Sequence, residues 1–297
     1  MKIWIDGRFY DKGDAKISVF DHGLLYGDGV FEGIRAYNGR VFQLKEHVDR
    51  LYHSAKCVLM DIPMPREEMT RVILEAVRTN DLKDAYIRVV VTRGTGDLGL
   101  DMRKCKVPTI IVIADKIQLY SDEVYKRGLR VMVSHLRRIS SDTLSPSIKS
   151  LNYLNNILAR AEASRADCDE AILLNREGYV AECSGDNIFF IRDRKVHTPP
   201  VHVGILEGVT RNVAMKLAKE KLGLEVHETV FTVPELYRAD EVFVTGTGAE
   251  IIGVVYLNGR VVADGKPGPL TTQLIRAFRE YTKSPESGAA VYEPVKV

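Results

Sequence analysis

Lys149 is hard to account for as an ordinary surface lysine. It stands in "SPSIKSLNYLNN" (145–156), with Ser147 and Ser150 close by, apolar "LNYL" following, and no other basic residue between Arg138 and Arg160. A solvated loop lysine is the default reading. In a partly dry pocket, however, a lysine sheds its charge readily, because burial disfavours the ammonium form. A neutral amine can form a Schiff base with a carbonyl. Two stretches could complement it by holding an anion. In "GILEGVTRNVAMKLAKE" (204–220) a helix is expected with residues 207–210 in its first turn, where unpaired N–H groups favour a phosphate. Val209 and Thr210 would offer amides and Thr210 a hydroxyl; a helix that begins there for dipole reasons alone is the competing account. In "VTGTGAE" (244–250), Gly246 and Gly248 would let backbone approach a ligand, with Thr245 and Thr247 beside them. A plain turn between strands explains the same residues.

Charged residues in apolar company complete the set. Arg50 lies three residues after His47 in an amphipathic run, and Arg88 interrupts "YIRVVV" in phase with Tyr86, so both side chains leave one strand face. A guanidinium there requires an anion or a wet cavity, or else a structural salt bridge. Glu182, in "GYVAECSGDNIFF", sits at a strand end between Ala181 and Cys183, either facing water or holding a protonated ring nitrogen. An imine-forming lysine, a phosphate cradle and an anion for a pyridinium nitrogen are the three requirements of pyridoxal 5'-phosphate.

The elements that must position these groups follow from hydrophobic period and turn chemistry. Asp6-Gly7, Asn38-Gly39 and Asn258-Gly259 predict three hairpins. Helical spacing is expected over 44–60, 65–80, 151–166, about 208–222 and 268–283; β-branched runs predict strands over 85–94 and 107–115. A strand starts at Leu129, an antiparallel meander covers 170–198, and strands "LEVHETV" and "EVFVTGTG" follow. The C-terminal tail, rich in Pro, Ser and Gly, reads as loose. Strands interrupted by a few helices without strict βαβ alternation imply an α+β class. The domain division expected is a smaller α+β unit over 1–117, a linker over 118–128 and a larger cofactor-binding unit over 129–297.

Bulk properties exclude several alternatives. The chain has 297 residues, 45% apolar and 28% charged, with a formal net charge of +2, so no global field points to nucleic acid or an anionic membrane. Its longest apolar run, "TIIVIA", is far short of the roughly 18 residues a membrane span needs. The N-terminus lacks an apolar signal region. Four scattered cysteines without a CxxC pair read as reduced, mostly buried thiols of a cytoplasmic protein, and no metal is expected.

Seven segments in order make the chain resemble the branched-chain amino acid aminotransferases, pyridoxal-phosphate enzymes of fold type IV. They are "YGDGVFEGIRAY" (26–37), "HVDRL" (47–51), "YIR" (86–88), "KSLNYL" (149–154), "AECSGDNIF" (181–189), "LEGVTR" (206–211) and "GTGAEI" (246–251). The resemblance implies a smaller N-terminal α/β sandwich and a larger, barrel-like mixed-sheet domain. Lys149 is similar to the lysine that holds the cofactor and moves the proton, and Glu182 to the glutamate at the pyridine nitrogen. Arg50, Val209, Thr210 and Thr247 match the phosphate set, Leu206 the residue packed on the ring, and Tyr153 the tyrosine near the phenolic oxygen, at a spacing of four rather than five. Phe31, Gly33, Tyr86, Arg88, Thr247 and Gly248 correspond to the substrate pocket. Tyr26 and the loop 96–101, with Leu100, correspond to elements donated across a dimer interface, which implies a homodimer or a dimer-based higher oligomer. The implied partners are amino acids and 2-oxo acids. A D-amino acid or (R)-amine aminotransferase, an aminodeoxychorismate lyase and a cofactor-free binding protein would share this scaffold; "FEGIRAY" and "YIR" favour the branched-chain enzyme.

Overall fold

A computed structural model describes residues 1–116 and 120–292. In chain order the first elements are β1 (Lys2–Ile5), β2 (Arg8–Asp11), α1 (His22–Tyr26), β3 (Gly29–Tyr37), β4 (Arg40–Phe42), α2 (Leu44–Cys57), α3 (Arg66–Thr79), β5 (Ala85–Thr92) and β6 (Thr109–Asp115). There follow α4 (Asp122–Arg127), β7 (Leu129–Arg137), α5 (Leu154–Arg165), β8 (Glu170–Leu174), β9 (Val180–Cys183), β10 (Asn187–Arg192) and β11 (Lys195–Thr198). The last are α6 (Val209–Leu222), β12 (Glu225–Glu228), α7 (Val233–Tyr237), β13 (Glu241–Gly246), β14 (Glu250–Leu257), β15 (Arg260–Val261), α8 (Pro269–Tyr281) and β16 (Gly288–Ala290).

The chain divides into two compact units: Met1–Ile117 with Ile148–Asn152 and Thr282–Val297, and Gln118–Ser147 with Tyr153–Tyr281. The first two residues of the expected 118–128 linker lie outside the described residues; 122–127 form α4. Two segments expected in the second unit, around Lys149 and at the C-terminus, pack with the first.

The first unit is an antiparallel sheet in the order β16-β4-β3-β5-β6-β1-β2. The period-2 pattern sorts its faces. Val30, Ile34 and Ala36 of β3, Ile87, Val89 and Val91 of β5, and Ile110 and Val112 of β6 are buried with Val48, Leu51, Met69 and Ile73 of α2 and α3 in one core. Phe31 and Gly33 alternate with these, as do Tyr86 and Arg88, so those four lie on the other face. The tail is a strand where a loose end was expected: β16 pairs with β4, and Val291 is fully buried. Residues 293–297 of that tail lie outside the described residues.

The second unit is a mixed sheet in the order β12-β11-β10-β13-β14-β7-β8-β9, with β15 on β14. The meander expected over 170–198 breaks between β9 and β10, which stand five places apart in that order. Five strand spacings in a flat sheet would cover about 24 Å, whereas the four residue steps from Cys183 to Asn187 reach at most about 14 Å. The sheet must therefore curl, as a barrel-like unit requires. Gly223 ends α6 in the left-handed conformation. The short helices α1, α4 and α7 carry too few turns to show a periodic pattern in sequence. All four cysteines are free, but only Cys183 is buried, against the expectation that most would be.

Candidate active site

In the first unit, Lys149 is held by backbone pairing. Its carbonyl accepts from the Phe31 amide at 2.9 Å and its own amide donates to Ser54 Oγ at 3.2 Å, while the Leu151 amide donates to the Gly29 carbonyl at 2.9 Å. Residues 149–151 thus extend antiparallel along the start of β3. The Lys149 Nζ stands 4.7 Å from the centroid of the Phe31 ring, and the Arg88 guanidinium carbon 4.6 Å from the same centroid. Arg88 Nη2 donates to the Tyr86 hydroxyl at 2.8 Å. Gly33 lies opposite Arg88 in the β3–β5 ladder, and a Cβ there would overlap the Tyr86 hydroxyl. Five expected residues (Lys149, Phe31, Gly33, Tyr86 and Arg88) therefore share one sheet face, with a primary amine and a guanidinium over one aromatic ring.

Arg50 belongs to the other side of β3, on α2. Its Nε and Nη2 form a fork onto Glu32 at 2.7 and 2.9 Å, and His47 Nδ1 meets Glu32 Oε2 at 2.8 Å. The salt bridge weighed for Arg50 is thus present. Burial opposes a charge on Glu32, but Arg50 and then His47 outweigh it and hold its carboxyl well below the usual carboxylate range. Burial pushes His47 down. The consistent assignment is an ionised Glu32 neutralised by Arg50, and a neutral His47 donating through Nδ1. Tyr26 and Leu100 form a separate group: the Tyr26 hydroxyl donates to the Leu98 carbonyl at 2.6 Å, His22 Nε2 bonds the Asp97 carbonyl at 2.8 Å, and Leu100 is 81% exposed.

In the second unit, Glu182 is buried rather than facing water. Its Oε1 accepts from Arg138 Nε at 2.8 Å; its Oε2 accepts from the Leu206 amide at 3.0 Å and from Asn187 Nδ2 at 3.4 Å. Asn187 also donates to the Leu206 carbonyl at 2.9 Å. A Cβ on Gly208 would collide with the side-chain oxygen Oδ1 of Asn187, so the glycine leaves room for that side chain. Helix α6 begins at Val209, with Gly208 as its N-cap and no side chain capping it; Glu207 precedes the helix instead of joining its first turn. The contrast is α8, where the buried Glu241 carboxylate takes the Leu270 and Thr271 amides at 2.9 and 2.7 Å. Val209 and Thr210 therefore open a helix whose positive end meets no carboxylate cap.

Thr247 and Gly248 lie in the tight turn between β13 and β14. At Gly246 a Cβ would collide with the Asp186 carboxylate, so the glycine there accommodates that neighbour. Thr245, paired across the ladder with Asn187, has a buried hydroxyl with no hydrogen-bond partner among the described residues. Tyr153 is the N-cap residue of α5. Glu32, His47, Arg138 and Asn187 were missed in sequence, because a residue's bond to another strand or helix leaves no local pattern.

Residues 29–257 match the family model described as amino-transferase class IV. The chain belongs to that family. It is 54% identical over 280 residues (94% of this chain, 96% of the relative) to a Methanocaldococcus jannaschii protein with a provisional branched-chain-amino-acid aminotransferase name. It is 40% identical over 281 residues to the Pseudomonas aeruginosa branched-chain-amino-acid aminotransferase, covering 93% of this chain and 91% of that one. The crystal structure of the Thermobaculum terrenum branched-chain amino acid aminotransferase in its PLP-bound holo form superposes with a TM-score of 0.87 at 33% identity, covering 95% of this chain and 93% of that one. The fold type IV architecture implied by the seven segments is therefore the fold of this chain. Among the described residues, no helix is long and apolar enough to cross a membrane.

Proposed function

We propose that the chain is a branched-chain amino acid aminotransferase that uses pyridoxal 5'-phosphate to move the amino group of leucine, isoleucine or valine to 2-oxoglutarate, forming glutamate. One observation carries the reading: the Lys149 amine and the Arg88–Tyr86 pair stand on one sheet face around the Phe31 ring. An amine, a carboxylate-binding cation and an apolar wall are what an amino acid substrate of this class needs. The names of the relatives support the same activity.

The residues present fit the cofactor. Lys149 would hold its aldehyde carbon and Glu182 its ring nitrogen, with Arg138 keeping that carboxylate in place. Arg50, the Val209 and Thr210 amides, and the Thr210 and Thr247 hydroxyls would take the phosphate; the uncapped start of α6 and the orphaned Thr245 hydroxyl suit an anion nearby. Leu206 would pack on the ring and Tyr153 approach the phenolic oxygen. When bound, the cofactor supplies an electron sink for the charge left at the substrate Cα. The Lys149 amine would carry the proton at that carbon, its position replacing a bimolecular encounter.

Phe31, Tyr86 and Leu100 would wall the branched side chain, with Gly33 leaving room for the Tyr86 hydroxyl. Arg88 with Tyr86, and the turn at Thr247 and Gly248, would hold substrate carboxylates. Tyr26 and Leu100, both exposed, would be contributed by a second copy in a homodimer or a dimer-based higher oligomer. The enzyme would work in the cytoplasm.

The test is the absorption spectrum of the protein loaded with pyridoxal phosphate. Leucine should bleach the long-wavelength band and 2-oxoglutarate restore it. A band that ignored leucine but answered a D-amino acid or an (R)-amine would keep the cofactor and overturn the substrate. No band at all would overturn both.

A further inference from the structure

Glu32 is a wholly buried carboxylate in mid-strand that the reading above leaves without a task. It shares β3 with Phe31 and Gly33 but points to the opposite face, toward α2. Both its oxygens are engaged there, by the Arg50 fork and by His47 Nδ1. His47 is fully buried too, and its Nε2 meets no hydrogen-bond partner among the described residues. So costly a burial has to be offset by what it holds.

We propose that Glu32, supported by His47, is a positioning residue for Arg50 that aims its guanidinium at the cofactor phosphate. This rests on the assignment of Arg50 to the phosphate set. The geometry supports aim over attraction. A carboxylate against a guanidinium weakens the pull of that cation on a second anion, so Glu32 works against phosphate binding on charge alone. Its contribution must be orientation. The fork through Nε and Nη2 fixes the guanidinium plane, and the Nη1 edge then lies on the side away from Glu32. His47, neutral and donating through Nδ1, fixes the carboxylate in turn without adding a competing cation. The same strand that carries Phe31 and Gly33 on one face thereby sets an anion-binding arginine on the other.

The experiment titrates the full-length chain with pyridoxal 5'-phosphate and, separately, with pyridoxal, which lacks the phosphate, and follows the bound chromophore. Glu32→Gln removes the charge; Glu32→Asp keeps it but shortens the reach. Both should bind the phosphorylated cofactor about 10- to 100-fold more weakly and leave pyridoxal affinity unchanged. Equal losses for both ligands would reduce Glu32 to a structural role and overturn the proposal, as would unchanged or tighter binding of the phosphorylated form. Should neither variant fold, Arg50→Lys keeps the charge but cannot fork, and is expected to show the same selective loss; wild-type affinity in it would equally overturn the proposal. Arg50→Gln separates the two levels. If it retains the full preference for the phosphorylated form, the phosphate assignment of Arg50 falls and the proposal with it. If it loses that preference while the Glu32 variants keep it, only the proposal falls.

Discussion

Glu32 and Glu182 are both buried strand carboxylates paired with an arginine, yet they are held in opposite ways. Glu32 is gripped by two side chains of one helix, α2: the Arg50 fork and His47 Nδ1. Glu182 receives a guanidinium on one oxygen and a backbone amide, that of Leu206, on the other. A backbone donor has no rotamers to lose, so Glu182 is fixed by the chain path itself. The first carboxylate holds a cation; the second is itself held, which would suit the ring-nitrogen role proposed for it.

The largest effect is expected away from both carboxylates. Lys149→Ala should cut leucine transamination by more than about 10⁴-fold, since the proposed proton carrier and cofactor anchor would be lost together; steady-state rates decide it, and a loss below about tenfold would remove Lys149 from the chemistry. Next, Arg138→Ala leaves Glu182 buried without its cation and should cost about 3–5 kcal/mol of stability, read from urea melts. A cost near zero would mean the Leu206 and Asn187 contacts suffice. Acid should then separate the pairs. Glu32 has its carboxyl held below the usual 4.5, so the unfolded chain binds the proton first as pH falls. Its stabilisation is fully present above that value and declines below it. Buried His47, pushed below its usual range, makes both proteins less stable in acid and so is not what closes the gap between them. The stability gap between wild type and Glu32→Gln should therefore shrink as pH drops from 5; a gap still constant at about pH 3 would show that Glu32 is not ionised in the folded protein. Smallest is Gly33→Ala, where the added methyl pushes the Tyr86 hydroxyl off Arg88: roughly 1–3 kcal/mol of stability, read from urea melts, with a raised KM for leucine.

Much of the fold was legible because it rests on local signals. The Asp6-Gly7, Asn38-Gly39 and Asn258-Gly259 turns form, with positive φ at Asp6, Asn38 and Asn258 and at each glycine. Helices α2, α3, α6 and α8 lie where apolar spacing put them, to within a few residues at each end. What failed was non-local. The C-terminal tail looked loose because its small residues carry no strand pattern, and it is a strand only because the β4 edge accepts it. The contact of Gly246 with the Asp186 carboxylate, sixty residues away, likewise leaves no local pattern.

The sequence by itself determined which groups exist: one isolated lysine, two arginines in apolar runs, a strand-end glutamate and threonine–glycine turns, in an order specific to one family. These are properties of residue type and spacing. Only the tertiary structure decided what each group meets. Arg50 forks onto Glu32 across 18 positions, and Arg138 reaches Glu182 across 44. Lys149 pairs along a strand of the first unit although its sequence neighbours pack in the second. Chain proximity cannot encode such contacts, because they arise when separate elements bury their apolar faces and the polar groups carried along must find partners.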